Sequence, residues 1–301
     1  MKFAPLASSG QPPETAQPEF KQRVEAWRQL VSQCGQKPSR KGVHSLRVAT
    51  LRLQAGVEFW LRDQEPDAPA ARAAKRWNKQ GKKLRRALNP VREADVSLAM
   101  LAGLRATTAG PPEGHPPCSR SCLRQIGELE RKLTETRQAA AKKLIAGIQD
   151  RRKRLDRLSA ELEAALAPTE QRAWGCSGQE ISTMVAGLRE EFPELNAESL
   201  HAYRKRIKKV RYLAEISAAA DPLAGRQATT LKRMQSAAGK WHDWQSLVEE
   251  VDRTFRGSAK CDGLANLLEA RTQESLKEAL GLIRRATAQL LKRDARRISS
   301  S

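Results

Sequence analysis

Apolar residues recur at alternating spacings of three and four along most of the chain, which is the pattern of helices that bury one face. Ala, Leu, Arg, Lys, Gln and Glu dominate and β-branched runs are few, so the sequence predicts an all-α fold. Turns rich in Pro, Gly or Asn separate the helices. The predicted helices span residues 18–34, 42–62, 68–88, 91–105, 118–147, 150–167, 180–191, 197–220, 227–256 and 264–297, with a break or bend near Gly147.

Interruptions of this pattern divide the chain into a tail and two halves. Residues 1–17 are rich in proline and poor in apolar residues, so we expect a disordered tail before a domain of residues 18–301. Residues 107–117 predict an exposed loop. Residues 168–179 are the best boundary between the halves, because Pro168, Gly175 and Gly178 interrupt the helical pattern. The first half then covers about 18–167 and the second about 180–297.

The clearest amphipathic segment is residues 200–215, LHAYRKRIKKVRYLAE. On a helix, one face carries an apolar stripe of Leu200, Tyr203, Ile207, Val210 and Ala214. About a quarter turn away lies a mostly cationic stripe of His201, Arg204, Lys208, Arg211 and Glu215. Like charges at these spacings cost about 0.2–0.5 kcal/mol per pair on a helix. The stripe therefore favours an anionic partner, with a solvated basic face as the alternative interpretation.

Residues 43–58, VHSLRVATLRLQAGVE, repeat this layout. Their apolar stripe consists of Val43, Leu46, Thr50, Leu53 and Val57. The alignment of the two copies pairs His44 with His201, Arg47 with Arg204, Arg52 with Lys209 and Glu58 with Glu215. A weaker repeat aligns residues 88–96 with 238–246, and it pairs Arg92 with His242 and Glu93 with Asp243. Two half-chains of similar plan are the simplest explanation.

At these residues the sequence resembles the CHAD domain, a helical domain family named for its conserved histidines. The resemblance rests on four segments in the family's order: VHSLRVATLRL, LNPVREADV, LHAYRKRIKKVRYLAE and MQSAAGKWHDW. It covers most of the chain between about residue 17 and residue 291. The resemblance implies two pseudo-symmetric four-helix bundles around a basic central groove. It also implies a protein that binds inorganic polyphosphate rather than transforming it.

The resemblance further implies a set of polyphosphate ligands shared between the two halves. Carried over by position, these are His44, Arg47, Arg52, Arg92, His201, Arg204, Lys208, Lys209, Arg211 and His242. The basic runs that contain or precede these positions add Lys82, Arg85 and Lys205 as candidates. The first half departs from the family's pattern, because Leu51 and Gln54 stand where further basic residues are usual. We therefore expect fewer phosphate contacts from the first half than from the second.

The overall charge also predicts a polyanionic partner. Fifty-five Lys and Arg residues against 34 Asp and Glu give a formal net charge of +21. Nucleic acid is the alternative partner. Polyphosphate fits better, because aromatic residues make up only 4% of the chain and proteins that bind single strands usually stack bases on aromatic side chains. The scattered tryptophans have apolar or helical neighbours, which predicts a packing role for them.

Motifs for catalysis are weak. The ELERK segment at residues 128–132 matches the E-x-E-x-K signature of triphosphate tunnel enzymes, which carry it on a β-strand. Here it lies in a helical segment, where Glu128 and Glu130 point to different faces. A Gly-rich phosphate loop and an activated nucleophile are both missing from the sequence. We therefore expect a protein that is not an enzyme, and turnover of phosphoanhydrides is the third hypothesis.

Metal binding and membrane insertion also find little support in the sequence. His115, Cys118 and Cys122 have spacings that a metal site could use, but a tetrahedral zinc site requires four ligands and no fourth lies near them. Five dispersed cysteines predict reduced thiols. We expect no metal and no cofactor.

The sequence shows no signal-peptide pattern and no run of about 18 or more apolar residues, so we expect a cytoplasmic protein, associated with polyphosphate granules or their proteins.

Overall fold

The computed structural model describes residues 16–108, 120–166, 176–255 and 262–298, and within these ranges it contains helices and no strand. The α-helices are α1 (Ala16–Gln36), α2 (Arg40–Trp60), α3 (Pro69–Thr108), α4 (Arg120–Leu166), α5 (Gly178–Glu191), α6 (Ala197–Ser217), α7 (Pro222–Phe255) and α8 (Asp262–Ile298). A short 3-10 helix, Leu61–Asp63, follows α2. The prediction of an all-α fold is confirmed.

Side chains just before the helices fix where several of them begin. The Ser39 hydroxyl accepts a hydrogen bond from the Gly42 backbone N–H, and α2 therefore begins at Arg40, ahead of the predicted start. The Asp221 carboxylate accepts bonds from the backbone N–H groups of Leu223 (2.7 Å) and Ala224 (3.3 Å). This cap starts α7 at Pro222, five residues before the start predicted from periodicity.

Two predicted helix interruptions are wrong. Helix α3 continues through Pro90, although proline removes one backbone hydrogen bond from a helix. Helix α4 also continues through Gly147 without a break. In both cases buried neighbours hold the helix on each side of the weak position: Leu88 and Val91 in α3, and Leu144 and Ile148 in α4. Tertiary packing therefore overrides the local preference of these two residues.

Two hydrophobic cores follow the order of the chain. The first is built from α1, α2, α3 and α4, with Trp27 and Trp77 at its centre at a ring separation of 5.5 Å. The Trp27 indole N–H donates to the Thr50 hydroxyl (2.9 Å), which satisfies both buried polar groups. The second core is built from α5, α6, α7 and α8, and it also includes Leu51 and Ala55 of α2.

A third core joins the two halves of the chain. It combines Leu101 of α3, Ile126 of α4, Leu247 of α7 and Leu264 of α8 with further aliphatic residues of the same helices. Together with the contact between α2 and α6, it brings first-half and second-half helices into direct contact at two places. Consequently α2, α3, α6 and α7 lie next to one another, and these are the helices that carry the candidate site residues.

Both predicted apolar stripes are buried, as the sequence analysis expected. Every member of the α2 and α6 stripes is 7% exposed or less. Packing is also confirmed for Trp27, Trp60, Trp77 and Trp241, and half-buried Trp244 packs against the third core. Two predicted bounds are wrong, because α1 begins at Ala16 within the predicted tail and α3 extends to Thr108 within the predicted loop. The rest of the tail and of the loop at 107–117, the greater part of the boundary at 168–179, and Trp174 lie outside the described residues. None of the described helices is long and apolar enough to cross a membrane.

Candidate functional site

Basic side chains from four helices converge where α2, α3, α6 and α7 meet. We call this group the basic cluster; it comprises His44 and Arg47 of α2, Arg85 and Arg92 of α3, Arg204, Lys208 and Arg211 of α6, and His242 of α7. Each helix buries an apolar face in a core, so its adjacent basic stripe turns toward the neighbouring helices. Sequence analysis predicted all eight residues, and the tertiary fold brings them together.

Arginines from both halves of the chain repel the positive charge of Lys208. Burial, followed by the positive charges of Arg47, Arg204, Arg85 and Arg211, lowers the pKa of its amine to about 7. Two of these arginines lie in the first half and two in the second. The free protein therefore holds a crowded set of cations, and an anion among them would relieve the repulsion.

The two histidines of the second half lie against each other at one end of the basic cluster. The rings of His201 and His242 are 5.1 Å apart, and burial followed by the charge of Arg204 lowers the pKa of His242 to about 4. Two nitrogen atoms here are buried without a hydrogen-bond partner: His242 Nδ1 and Arg204 Nε. Exposed Lys205 adds a positive charge beside both histidines. An external acceptor could satisfy the Arg204 N–H.

The first half has a corresponding arrangement at the aligned positions. His44 and Arg92 align with His201 and His242, and the pKa of His44 is lowered by desolvation and next by the charge of Arg92. Arg47 is held by a hydrogen bond from its Nε to Asn89 Oδ1 (3.0 Å). This bond links α2 to α3 and orients the guanidinium toward the cluster, where its charge acts on Lys208.

A carboxylate that the sequence analysis did not assign to the site lies within the basic cluster. Burial raises the pKa of Asp243, and the charges of Arg92, Arg204 and Arg47 oppose that rise. Asp243 is therefore an internal counterion shared by arginines of three helices. The sequence signal for Asp243 was its alignment with Glu93. Burial likewise raises the pKa of Glu93, and the charge of Arg47 is the first to oppose that rise.

Two further carboxylates pair with basic residues across the contact between α2 and α6. Arg52 Nε lies 2.7 Å from Glu215 Oε2, and Lys209 Nζ lies 2.8 Å from Glu58 Oε2. These two pairs are reciprocal, because Arg52 aligns with Lys209 and Glu58 aligns with Glu215. Lys82 Nζ also approaches Glu58, at 3.8 Å. Together with Arg211, which also pairs with Glu215, four predicted phosphate ligands already have carboxylate partners in the free protein: Arg52, Lys82, Lys209 and Arg211.

Arg211 is the most buried of the predicted ligands, with 8% of its surface exposed. Its Nε donates to Glu215 Oε1 (2.9 Å), and its Nη1 donates to the side-chain carbonyl of Gln235. Its guanidinium also lies 4.6 Å from the centre of the Tyr212 ring. Arg211 thus contributes charge to the cluster while its hydrogen-bonding groups are engaged with protein partners.

The two substitutions in the first-half motif have a structural explanation. Leu51 aligns with Lys208, and it packs into the second core rather than facing the cluster. Gln54 aligns with Arg211, and its side-chain N–H donates to the Asn78 backbone carbonyl (3.1 Å). Both residues are buried in contacts between helices, which is the reason that α2 contributes fewer cations to the basic cluster than α6 does.

The weaker motifs find ordinary roles or fall outside the described residues. Glu128 pairs with Lys132 (3.1 Å) within α4, so the ELERK segment lies on a helix, as expected. Of the metal candidates, His115 and Cys118 lie outside the described residues, and the remainder of the described chain holds no cluster of three metal-ligating side chains.

The expectation of reduced thiols holds for two cysteines and fails for a third. Cys34 and Cys176 are free and buried. Cys122 is disulfide-bonded, which corrects that expectation for this residue. Burial raises the pKa of Cys34 to about 11 and of Cys176 to about 12, so both thiols stay protonated near neutral pH.

Comparison with known proteins identifies one family. The sequence model of the CHAD domain matches residues 19–252 of the 301-residue chain. That range includes every residue of the basic cluster, and it ends within α7. No curated protein and no solved structure matches the chain.

Proposed function

The chain belongs to the CHAD domain family, and on that premise we propose that it binds inorganic polyphosphate through the basic cluster. The observation that carries the proposal is the convergence of cations from α2, α3, α6 and α7 on Lys208, whose pKa is about 7. Such mutual repulsion destabilises the free protein, and a bound polyanion removes it. Polyphosphate supplies a dense row of negative oxygens and no base or sugar to recognise.

The proposed binding mode is electrostatic and follows the helix geometry. Successive turns of a helix rise by about 5.4 Å, so the basic side chains of α6 form a ladder along which a flexible phosphate chain can lie. Arg47 and Arg204 would donate paired hydrogen bonds to phosphate oxygens, and Lys208 would act as a point charge. The unpartnered Nε of Arg204 supports its role as a ligand donor.

We propose that the two halves form pseudo-symmetric helical bundles with the basic cluster in the groove between them. The separate cores of α1–α4 and α5–α8 support this arrangement. So do the reciprocal ion pairs of Arg52 with Glu215 and of Lys209 with Glu58, because a two-fold relation between the halves exchanges one pair with the other. In this arrangement, Arg52, Lys82 and Lys209 would become ligands when phosphate displaces the carboxylates.

We propose binding without turnover. The cluster offers cations and hydrogen-bond donors, which hold phosphate oxygens but do not by themselves attack a phosphoanhydride bond. The protein would act in the cytoplasm as a polyphosphate-binding or granule-targeting module, with granule-associated proteins as its neighbours.

A competition titration tests this function. Labelled long-chain polyphosphate is bound to the full chain at near-physiological salt and challenged with duplex DNA, transfer RNA and triphosphate at equal phosphate concentration. We expect displacement by either nucleic acid to require at least about 100-fold more phosphate. The reason is that a flexible phosphate chain can follow the half-buried cations of the basic cluster, whereas a rigid duplex presents its phosphates only along its own surface.

Equal competition by duplex DNA or transfer RNA would contradict the proposal. The net charge of +21 would then act as a general polyanion surface, and nucleic-acid binding would become the better assignment. Release of inorganic phosphate from the labelled chain, dependent on a divalent metal, would instead identify an enzyme.

A second prediction concerns the carboxylates that form ion pairs with the predicted phosphate ligands in the free protein. We expect Glu58→Gln to raise polyphosphate affinity by about 3–10-fold, because it releases Lys82 and Lys209 and removes a negative charge beside the ligand. The free protein should lose about 0.5–1 kcal/mol of unfolding free energy, since the ion pairs are partly exposed. Polyphosphate titration and urea unfolding measure the two effects.

Glu161→Gln is the matched control for that variant. Glu161 also bridges two cations, Arg76 (3.0 Å) and Arg157 (3.6 Å), and its side chain is 35% exposed against 31% for Glu58. It lies on α4, away from the basic cluster. The two variants should lose similar stability, and only Glu58→Gln should gain affinity. Equal affinities for both variants would show that Glu58 does not compete with the ligand.

A further inference from the structure

A cleft of about 360 Å³ lies between α3, α7 and α8, on another side of α7 from the basic cluster. Its volume falls within the range of about 300–1,000 Å³ that is typical of small-molecule sites. On α7 it is lined by Lys240 and Trp244, which lie one turn apart on one face, whereas His242 points to the opposite side of the helix. The cleft is therefore separate from the proposed polyphosphate site.

One buried polar group in the cleft lacks a partner. Ser275 of α8 lines the cleft and is 2% exposed, and its hydroxyl makes no hydrogen bond within the described part of the chain. A buried hydroxyl without a partner is destabilising, because it has lost its bonds to water and gained none in return. A ligand atom that pairs with this hydroxyl would remove that cost.

The walls of the cleft suit a flat ring. Half-buried Trp244 offers an aromatic face, and Met100 and Leu104 of α3 supply apolar and polarisable contacts. Gly103 keeps the α3 side open with respect to the described residues, since a Cβ atom at this position would meet none of their atoms within 4 Å. The space therefore results partly from the absence of a side chain there.

The mouth of the cleft is polar. Lys240 of α7 pairs with Glu278 (2.9 Å), and Arg271 pairs with Glu274 (3.1 Å), both pairs lying toward solvent. These groups can donate to and accept from hydroxyl groups, and the two cations can also contact a phosphate. An apolar, aromatic interior with one hydroxyl and a charged mouth matches a ring that carries a polar substituent.

We propose that this cleft binds a nucleoside-type ligand, whose heteroaromatic base stacks on Trp244 and hydrogen-bonds to the Ser275 hydroxyl while its sugar lies at the ion-paired mouth. This site does not depend on polyphosphate binding. The sugar and any phosphate attached to it face solvent, so nucleosides and nucleoside monophosphates are both possible sources of the same base.

Calorimetric titration of the full chain with adenosine, guanosine, cytidine, uridine and their monophosphates tests the proposal. We expect at least one base to bind with a Kd below about 1 mM. Ser275→Ala should weaken that binding by about 5–10-fold while leaving the free protein equally or more stable, because the variant removes an unpaired hydroxyl. Comparison of each nucleoside with its monophosphate shows whether the mouth also holds phosphate.

Two other variants keep the test decisive if one substitution disturbs folding. Gly103→Leu fills the open side of the cleft, where a Cβ atom clashes with none of the described residues, and it favours the helix. Trp244→Leu removes the stacking surface. Both should weaken binding by at least about tenfold. The proposal is overturned if no probe binds at about 1 mM, or if the Kd is unchanged in all three variants. Loss of nucleoside binding in the Arg47→Glu/Arg204→Glu double variant would also overturn it, because the base would then occupy the basic cluster.

Discussion

Polyphosphate affinity is expected to fall by at least about 100-fold when Arg47 and Arg204 are both replaced by Glu. The two arginines occupy equivalent positions of the repeat on α2 and α6, and the charge of each acts on Lys208. Reversal of both places carboxylates where the phosphate oxygens would bind. The effect is large because the cluster is half-buried and solvent screens its charges less than those of a surface.

These two positions separate binding from folding better than other members of the cluster. Arg211 is 8% exposed and paired with Glu215, so its reversal would place two carboxylates side by side in a buried contact. Arg204, in contrast, has an unpartnered Nε, and Arg47 has a single bond to a neutral amide, that of Asn89. Because both arginines also act as counterions of Asp243, the double variant should be less stable than the original chain, and circular dichroism should confirm that its helicity is retained.

The matched control is Lys153→Glu/Arg154→Glu, which changes the net charge by the same amount. Both residues are exposed on α4, in the basic run at residues 151–157 that is remote from the cluster. We expect its affinity to stay within about threefold of the original chain, apart from the general effect of net charge. Similar losses in the two double variants would show that affinity follows total charge and that no dedicated site exists.

Polyphosphate affinity should also fall as the pH rises, by up to about tenfold per unit between about pH 7 and about pH 9. In the free protein the pKa of Lys208 is about 7, so the amine is largely neutral at the upper end of this range. Bound phosphates favour the charged amine and raise its pKa toward the ordinary value of 10.5. Binding must then take up a proton, which becomes harder as the pH rises.

The stability of the free protein should show the opposite trend. Between about pH 7 and about pH 10.5 the unfolded chain carries a proton on Lys208 that the folded chain has lost, so the contribution of this residue to the free energy of unfolding rises with pH. Calorimetry in buffers of different ionisation enthalpy measures the proton uptake on binding. Long-chain polyphosphate is the suitable ligand, because its internal phosphates stay ionised throughout this range.

Lys208→Leu is the control for the pH dependence. The first half of the chain carries Leu51 at the aligned position, and leucine keeps an aliphatic side chain while removing the titrating amine. The variant should bind more weakly at about pH 6 and lose the proton uptake above about pH 7. If the variant keeps the full pH dependence, the titrating group is not Lys208.

In the free protein the histidines lose their charge at lower pH than Lys208 does. Bound phosphate raises their pKa values as well, so the Lys208→Leu variant is needed to separate the two sources of proton uptake. Burial and neighbouring arginines lower the pKa values of His44 and His242, that of His242 to about 4, so both are neutral in the free protein at about pH 7 and above. In the free protein they are available as hydrogen-bonding groups rather than as charges.

Much of this organisation follows from local sequence, because it depends on spacing within one helix. The stripes of α2 and α6 could be assigned as buried since apolar residues three and four apart must share a face. The alignment of the two halves likewise identified Arg47 with Arg204 and Glu58 with Glu215 without any structure. The helix starts were less accurate where a single capping side chain decides them, as Asp221 does for α7.

Only the tertiary structure decided which cations are paired and which are crowded. Arg52 and Lys209 look equivalent to Arg204 and Lys208 in the sequence, but they face carboxylates that cross from the opposite helix. Lys208 instead experiences the charges of Arg47 and Arg85, which come from the other half of the chain, in addition to those of Arg204 and Arg211 on its own helix. Buried residues on both sides of Pro90 also keep α3 helical at this position. Spacing along the chain fixes which face of a helix is buried, whereas its neighbours in space fix the charge that each exposed residue experiences.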